Sequence, residues 1–184
     1  MIEHIQQAYG GSGMTAYITH TACLGHNMGE GHPEGPERLA AIKDRLMAAQ
    51  VFDFLNQVDA PTVSASQLAR VHPPKYIEYL ESVQPTVGTY RVDTDTAMNS
   101  GTLAAARHAA GAVVKAVDMV MHKQAPNAFC AIRPPGHHAE TRKAMGFCFF
   151  NNIAVGAMHA IAEHGIERVA ILDFDVHRGN GTEE

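Results

Sequence analysis

The chain has 184 residues, of which 46% are hydrophobic and 18% are charged, so it can bury one sizeable core and is predicted to form a single domain. Its net charge of −5, with no run of lysine or arginine, argues against nucleic acid as the main partner. No apolar stretch approaches the length of a membrane span, and the N-terminus has no signal-peptide pattern. The three cysteines are scattered without a CxxC spacing, which predicts reduced thiols in a cytoplasmic protein.

The first residues of the chain differ in composition from the rest. Residues 10–13, Gly-Gly-Ser-Gly, are typical of a flexible linker, and Met14 begins a more ordinary globular sequence. Residues 1–13 are therefore predicted to be an appended tag or flexible leader, and the folded domain is expected to begin at residue 14.

Strand and helix patterns alternate along the rest of the chain. Strands are predicted at Ala16–His20, Val58–Val63, Ala128–Ile132 and Val169–Phe174. Helices are predicted at 36–49, from residue 74 onward, at 100–122 and at 152–163, with a polar loop at 84–99. This alternation predicts an α/β fold with a mainly parallel sheet flanked by helices.

The end of the last predicted strand carries acidic and imidazole groups at every second position. Asp173, Asp175 and His177 would project to the same side if the strand geometry continued past Phe174. Two carboxylates and an imidazole at a strand end, before a glycine-rich turn, suit a divalent metal. Alone, the pattern is equally compatible with an aspartate that ends a strand and a solvated histidine.

A second group of polar residues, Arg-Pro-Pro-Gly-His-His-Ala-Glu at 133–140, follows the strand predicted at 128–132. Because the carboxyl ends of parallel strands meet at one edge of a sheet, His137 and His138 should lie near the first group. Adjacent imidazoles near a metal could divide the base and acid steps of a hydrolysis. In isolation two solvated histidines would be the better interpretation, but the aromatic segment at 146–152 at the same edge favours a site.

Three segments, at 133–140, 146–156 and 173–183, resemble the zinc-dependent histone deacetylase family, which has the three-layer arginase–deacetylase fold. The stretch at 31–39 resembles the family's N-terminal loop and helix start, and the resemblance extends from residue 14 to the last residue. Asn180, where many members carry aspartate, is similar to the class II branch and its bacterial relatives, including acetylpolyamine amidohydrolases.

The resemblance implies a metal centre built on the first group. Asp175 and His177 would be zinc ligands. Asp173 would accept a hydrogen bond from His137 and would contribute, with Asp175 and His177, to a monovalent cation site for K⁺ or Na⁺.

The resemblance also implies catalytic and substrate-binding roles. His138 would be the general base acting on water bound by zinc, with His137 as its electrostatic partner and Asn180 orienting it. The residues implied at the acetyl-lysine tunnel and its rim are Gly146, Phe147 and Thr96.

The family pattern is incomplete in this sequence. Arg178 stands where a second histidine is usual, and Gly35 stands where arginine is common; both changes are expected to affect packing or the rim.

The motif supplies two zinc ligands, whereas the family's further aspartate ligand and its oxyanion-stabilising tyrosine come from segments that nothing here matches. Residues 14–184 are therefore predicted to be the N-terminal half of a catalytic domain, truncated, with an exposed sheet edge suited to homo-oligomers or to pairing with another chain.

Three functions are consistent with these patterns. The leading hypothesis is zinc-dependent hydrolysis of an N-acetyl amide, on acetyl-lysine in a protein or on an acetylpolyamine, with water activated by the histidine pair. The second is a non-catalytic fragment or binding module. The third is a manganese ureohydrolase-like enzyme, because that group shares the Asp-x-Asp-x-His strand end; the histidine pair in its Pro-Pro-Gly setting favours a deacetylase.

Overall fold

A computed structural model describes residues 13–184, so the predicted leader, apart from Gly13, lies outside the described residues. The strands are β1 (Ala16–Thr19), β2 (Asn56–Asp59), β3 (Tyr90–Arg91), β4 (Ala97–Met98) and β5 (Ala128–Cys130). The α-helices are α1 (Glu37–Ala48), α2 (Ala65–Leu68), α3 (Pro74–Val83), α4 (Thr102–Met121), α5 (Asn152–His164) and α6 (Asn180–Glu183). Short 3₁₀ turns lie at Thr21–Gly25 and Phe52–Phe54.

The main sheet is parallel, with strand order β2–β1–β5, as the sequence predicts. Ala16 of the central strand pairs with Asn56 on one side and Ala128 on the other. Successive side chains of a strand point to opposite faces. Ile18 accordingly packs in the cluster that contains Ala112 and Met119 of α4, whereas Tyr17 packs with Leu39 of α1. The sheet is therefore covered by helices on both faces.

The long helices begin and end where local chemistry predicts. Pro74 occupies the first turn of α3, where its missing N–H costs nothing. The side chain of Asn151 caps α5 by accepting from the Ala154 N–H, and Gly165 ends that helix in the left-handed conformation, with φ of 66°. No helix among residues 13–184 is both long and apolar enough to cross a membrane.

The prediction of a buried strand at Val169–Phe174 is wrong. The segment forms no strand, and the side chains of Leu172, Phe174 and Val176 are 86%, 94% and 91% exposed. A strand exists only where its backbone N–H and C=O groups pair with a neighbour, and the apolar pattern does not specify that neighbour. In the described part of the chain no strand pairs with this segment, and Ile171 and Leu172 line a groove of about 400 Å³.

Two shorter elements also differ from prediction. The strand expected at Val58–Val63 lies earlier, at 56–59, and ends before Pro61, which cannot donate a ladder hydrogen bond. The loop expected at 84–99 contains the β3–β4 hairpin, in which Arg91 pairs with Ala97. Two-residue strands are too short to show a hydrophobic period, so sequence patterns do not detect them.

Candidate active site

The two polar groups predicted from sequence lie at one rim. The loop after β5 and the segment after residue 174 line a shared cavity of about 260 Å³. Its wall includes His137, His138, Asp175 and His177, and the rings of His138 and His177 are 6.0 Å apart. The two groups lie close together although residues 169–174 are not a paired strand. The helix α6, which follows this segment, is hydrogen-bonded to the histidine loop and so holds the segment at the rim.

The short helix α6 attaches the end of the chain to the histidine loop. The Gly181 N–H donates to the His137 carbonyl over 2.9 Å, and the Thr182 N–H donates to the same carbonyl over 3.2 Å. A Cβ on Gly181 would overlap the Ala139 carbonyl, so this close approach needs glycine. The Asn151 amide, which donates to the Thr182 hydroxyl over 3.1 Å, ties the same helix to the start of α5.

The two histidines are adjacent but have different partners. Their ring centroids are 4.1 Å apart. His137 Nδ1 lies 2.8 Å from Asp173 Oδ2, and His138 Nδ1 lies 2.7 Å from Asn180 Oδ1. The His137 hydrogen bond is the main cause of the lowered pKa of the Asp173 carboxyl. One imidazole is therefore paired with a carboxylate and the other with a neutral amide.

The orientation of the Asn180 amide follows from its own contacts. Its nitrogen donates to Glu140 Oε1 over 2.9 Å and faces Met145 Sδ at 3.5 Å, so its oxygen must face His138. An amide oxygen only accepts hydrogen bonds, so His138 Nδ1 carries the proton. In neutral His138 the lone pair is then on Nε2.

Two potential metal donors converge beside the histidines. Asp175 Oδ2 lies 2.9 Å from His177 Nδ1 and accepts the His177 backbone N–H over 2.8 Å. This backbone hydrogen bond is the largest of the contributions that lower the pKa of the Asp175 carboxyl. A carboxylate oxygen and an imidazole nitrogen are ordinary zinc donors. No third metal-ligating side chain closes on this pair among residues 13–184.

The wall of the cavity is formed by a two-residue turn. Gly146 and Phe147 have φ of 56° and 69°, and Met145 and Cys148 on either side exchange both backbone hydrogen bonds, at 3.2 and 2.9 Å. A Cβ on Gly146 would overlap the His138 ring, so only glycine fits here. The Phe147 ring meets the edge of His32 at a centroid distance of 4.6 Å.

Thr96, which the family resemblance implies at the substrate rim, lies behind the cavity wall. Thr96 is fully buried and does not line the cavity; its hydroxyl accepts the Phe147 N–H over 2.9 Å and donates to Asp95 Oδ1 over 2.8 Å. Asp95, its neighbour, lines the cavity instead. Thr96 thus holds two residues of the wall, one of them in a left-handed conformation that aromatic residues rarely adopt.

Replacement of Thr96 by valine is expected to destabilise this wall. The substitution keeps the shape but leaves the partly buried Phe147 N–H without its acceptor, which costs about 1 kcal/mol of unfolding free energy. Hydrogen exchange of the Phe147 amide should accelerate by a corresponding factor. Thr96→Ser retains the hydroxyl and is the matched control; equal exchange rates in the two variants would contradict this role.

A buried ion pair joins the N-terminal loop to the histidine loop, and sequence analysis did not identify it. Arg133 is fully buried and donates to both carboxylate oxygens of Glu34, from Nε over 2.8 Å and from a terminal nitrogen over 2.7 Å. Its other terminal nitrogen donates to the carbonyls of Cys23 and His26, at 2.7 and 2.6 Å. Both charged residues occur in the motifs quoted above, but 99 positions separate them, and no local pattern predicts the pairing.

The same ion pair affects a buried histidine. Burial, with the Arg133 charge and then His32 as smaller causes, lowers the pKa of His26 to about 3. His26 is therefore neutral at physiological pH, and its Nδ1 lies 2.8 Å from the Thr102 hydroxyl at the start of α4. These contacts fix the loop that carries Pro33 and Glu34 into the cavity wall.

The fold and the rim geometry place this protein among α/β proteins of the arginase–deacetylase type. Residues 32–184 match the sequence profile of the histone deacetylase domain, and the chain belongs to the histone deacetylase family.

Several relatives carry related names. The chain is 42% identical over 153 residues to the "Histone deacetylase-like amidohydrolase" of Pseudomonas aeruginosa and 37% identical over 173 residues to the "Probable deacetylase" of Archaeoglobus fulgidus. These alignments cover 83% and 93% of this chain but 40% and 47% of those proteins. The crystal structure of the HDA15 HD domain is similar with a TM-score of 0.88 and 36% identity, over 94% of this chain and 49% of that one. The chain thus spans about half the length of these relatives.

Proposed function

We propose that the rim site takes part in the hydrolysis of an N-acetyl amide, on a lysine side chain or on a polyamine. The observation that carries this proposal is the pair of imidazoles, 4.1 Å apart, with unlike partners. Amide hydrolysis needs a base to take a proton from water and an acid to give one to the leaving amine. Membership of the histone deacetylase family supports the same reaction class.

Asp175 and His177 would hold a zinc ion beside this pair. Their donor atoms are 2.9 Å apart and are of the types that zinc prefers. When bound, zinc supplies a Lewis acid that lowers the pKa of water and polarises an amide carbonyl. A catalytic zinc usually has three protein ligands, and the described residues supply two here. The monovalent cation site at Asp173, Asp175 and His177 stays a prediction.

The histidines would divide the proton transfers. His138 donates its Nδ1 proton to Asn180, so Nε2 is the atom that accepts a proton from water. His137 Nδ1 pairs with the Asp173 carboxylate, which only accepts hydrogen bonds, so this nitrogen also carries a proton. This arrangement suits His138 to act as the base. The neighbouring His137–Asp173 pair would then offset the positive charge that the His138 ring gains when it takes the proton.

The cavity wall favours a thin, uncharged group. Gly146 brings its backbone against the His138 ring, and Phe147 meets the edge of His32, so an aliphatic chain ending in a small acetamide fits better than a bulky amide. The Asp95 carboxylate, also in the wall, provides an acceptor for an N–H or ammonium group of the substrate. These features support acetyl-lysine or an acetylpolyamine as the substrate class and do not distinguish between them.

A binding module without turnover is the second candidate. The observation that favours it is the exposure of the donor pair: the Asp175 and His177 side chains are 48% and 72% exposed, with no third donor among the described residues. In that case the pocket would bind an acetylated chain without cleaving it.

A graft tests the proposed function. Residues 32–184 would replace the matching part of the Pseudomonas aeruginosa amidohydrolase, which supplies the remainder of the relative's length. The graft is expected to hydrolyse a fluorogenic acetyl-lysine peptide. His138→Ala in the graft should lower kcat by about 10²- to 10⁴-fold, because a general base contributes this much to rate.

Zinc content separates the roles of the residues in this graft. His138→Ala should keep the zinc content of the parent graft, whereas Asp175→Ala should lose one equivalent of zinc. Lys75→Ala, an exposed position of α3 outside the cavity wall, is the control and should retain activity. A zinc-loaded graft that binds the peptide without turnover would favour the binding module, and normal turnover in His138→Ala would exclude His138 as the base.

A further inference from the structure

A second cluster of metal-ligating side chains lies away from the rim, between α4 and α5. Asp118, near the end of α4, places Oδ1 2.7 Å from His159 Nε2 and 2.8 Å from His164 Nε2, both on α5. The three donor atoms all lie within 4.8 Å of one another. This clustering of a carboxylate and two imidazoles is independent of the candidate active site, since none of the three lines that cavity.

We propose that Asp118, His159 and His164 form a binding site for a zinc ion. Zinc lies about 2.0–2.2 Å from nitrogen and carboxylate ligands, which sets tetrahedral donors about 3.3 Å apart. The two contacts to Asp118 would therefore open by about half an ångström, and small rotations of the imidazoles achieve this. The fourth position is available to water or to His122, whose ring centroid is 5.2 Å from that of His164.

The surroundings of the cluster are suited to a fixed site. His159 is buried, and His164 and Asp118 are only partly exposed, on two helices that pack against each other through a shared core. Burial raises the pKa of the Asp118 carboxyl, but hydrogen bonds from His159 and His164 outweigh it and the net pKa is lowered. The carboxylate is therefore ionised at neutral pH and available to a cation.

Arg70 competes with the metal for this cluster. Its terminal nitrogen lies 3.2 Å from His159 Nδ1, and its other terminal nitrogen pairs with Glu163. An arginine N–H only donates, so Nδ1 accepts and the His159 proton is on Nε2, directed at Asp118. A zinc ion bound to Nε2 moves that proton to Nδ1, where it would face the guanidinium. Zinc binding thus requires Arg70 to turn away from His159.

Because Asp118 would bind the metal and Arg70 would compete with it, substitutions at these two positions should change zinc affinity in opposite directions. The background is the full chain carrying Asp175→Asn and His177→Gln, which removes the candidate site at the rim. We expect this background to bind one zinc ion in competition with a chromophoric chelator. Asp118→Asn should weaken binding roughly tenfold or more, as loss of a charged ligand does. Arg70→Met should tighten binding about threefold or more, because a positive charge and a competing donor are removed.

The control variant is Asp44→Asn, which removes an exposed carboxylate from α1 and should leave zinc affinity unchanged. Equal affinities in Asp118→Asn and Asp44→Asn would show adventitious binding to other histidines and overturn the proposal. A background without zinc binding would overturn it as well. The expected rise in zinc affinity of Arg70→Met can be measured even if Asp118→Asn does not fold. An Arg70→Met variant with unchanged or weaker zinc affinity would therefore contradict the proposal independently.

Discussion

Purified residues 1–184 are expected to show no detectable deacetylation of a fluorogenic acetyl-lysine peptide, with zinc supplied in excess. Two metal donors meet at the rim, so zinc is held more weakly and with less geometric control than in a three-ligand site. No tyrosine lines the cavity in the described part of the chain, and the absence of one oxyanion donor typically costs about 10²- to 10³-fold in rate. Both deficits affect the same step, so their effects on rate multiply.

The graft onto the Pseudomonas amidohydrolase is the positive control, assayed with the same peptide and the same zinc concentration. An active graft beside an inactive chain would show that the rim residues are competent and that the remaining groups come from elsewhere. Steady turnover by the chain itself, with stoichiometric zinc at Asp175 and His177, would contradict the expectation. The chain would then contain a third ligand and an oxyanion donor that its described contacts do not reveal.

Replacement of Arg133 by methionine is expected to cost about 3–5 kcal/mol of unfolding free energy. The substitution leaves the Glu34 carboxylate buried without its two-pronged partner. It also removes the donor to the carbonyls of Cys23 and His26. Urea denaturation monitored by circular dichroism measures the difference, provided that the transition stays two-state.

Arg38→Met is the matched control, because Arg38 also contacts Glu34, over 3.3 Å, but its side chain is half exposed. Exposed ion pairs contribute about 0–1 kcal/mol, so this variant should stay near the wild type. Adding Glu34→Gln to Arg133→Met should recover part of the loss, since it removes the unpaired charge. If Arg133→Met lost no more unfolding free energy than Arg38→Met, the prediction would be wrong. Water would then replace the guanidinium as the hydrogen-bond partner of Glu34 and of the two carbonyls.

The sequence predicted the parts of this protein that depend on local patterns. The parallel sheet and the helices α1, α3, α4 and α5 follow from periodicity and capping residues. The two polar groups meet at one rim as predicted, but contacts of α6 with the histidine loop, rather than a second strand end, bring them together. The hydrogen bonds of His137 with Asp173 and of His138 with Asn180 occur as the family resemblance implies.

The features that the sequence did not predict depend on partners far away in the chain. The apolar run at 169–174 has strand composition, but composition does not provide a paired neighbour. The family resemblance implied Thr96 at the substrate rim, and the burial of its side chain could not be inferred because its loop has no hydrophobic period. The Asp118 cluster was missed because its members occupy two helices and because His159 and His164 look like ordinary surface positions of an amphipathic pattern.

The exposed apolar run from Val169 to Val176 has a consequence for the handling of this chain. Ile171 and Leu172 line a groove of about 400 Å³, and Phe174 and Val176 are exposed next to them, which is the kind of apolar surface that promotes aggregation. Yield and shelf life of the free chain should therefore fall steeply with concentration and improve with mild detergent, while its melting temperature changes little. The exposed run is therefore expected to limit the concentration at which the free chain can be kept in solution.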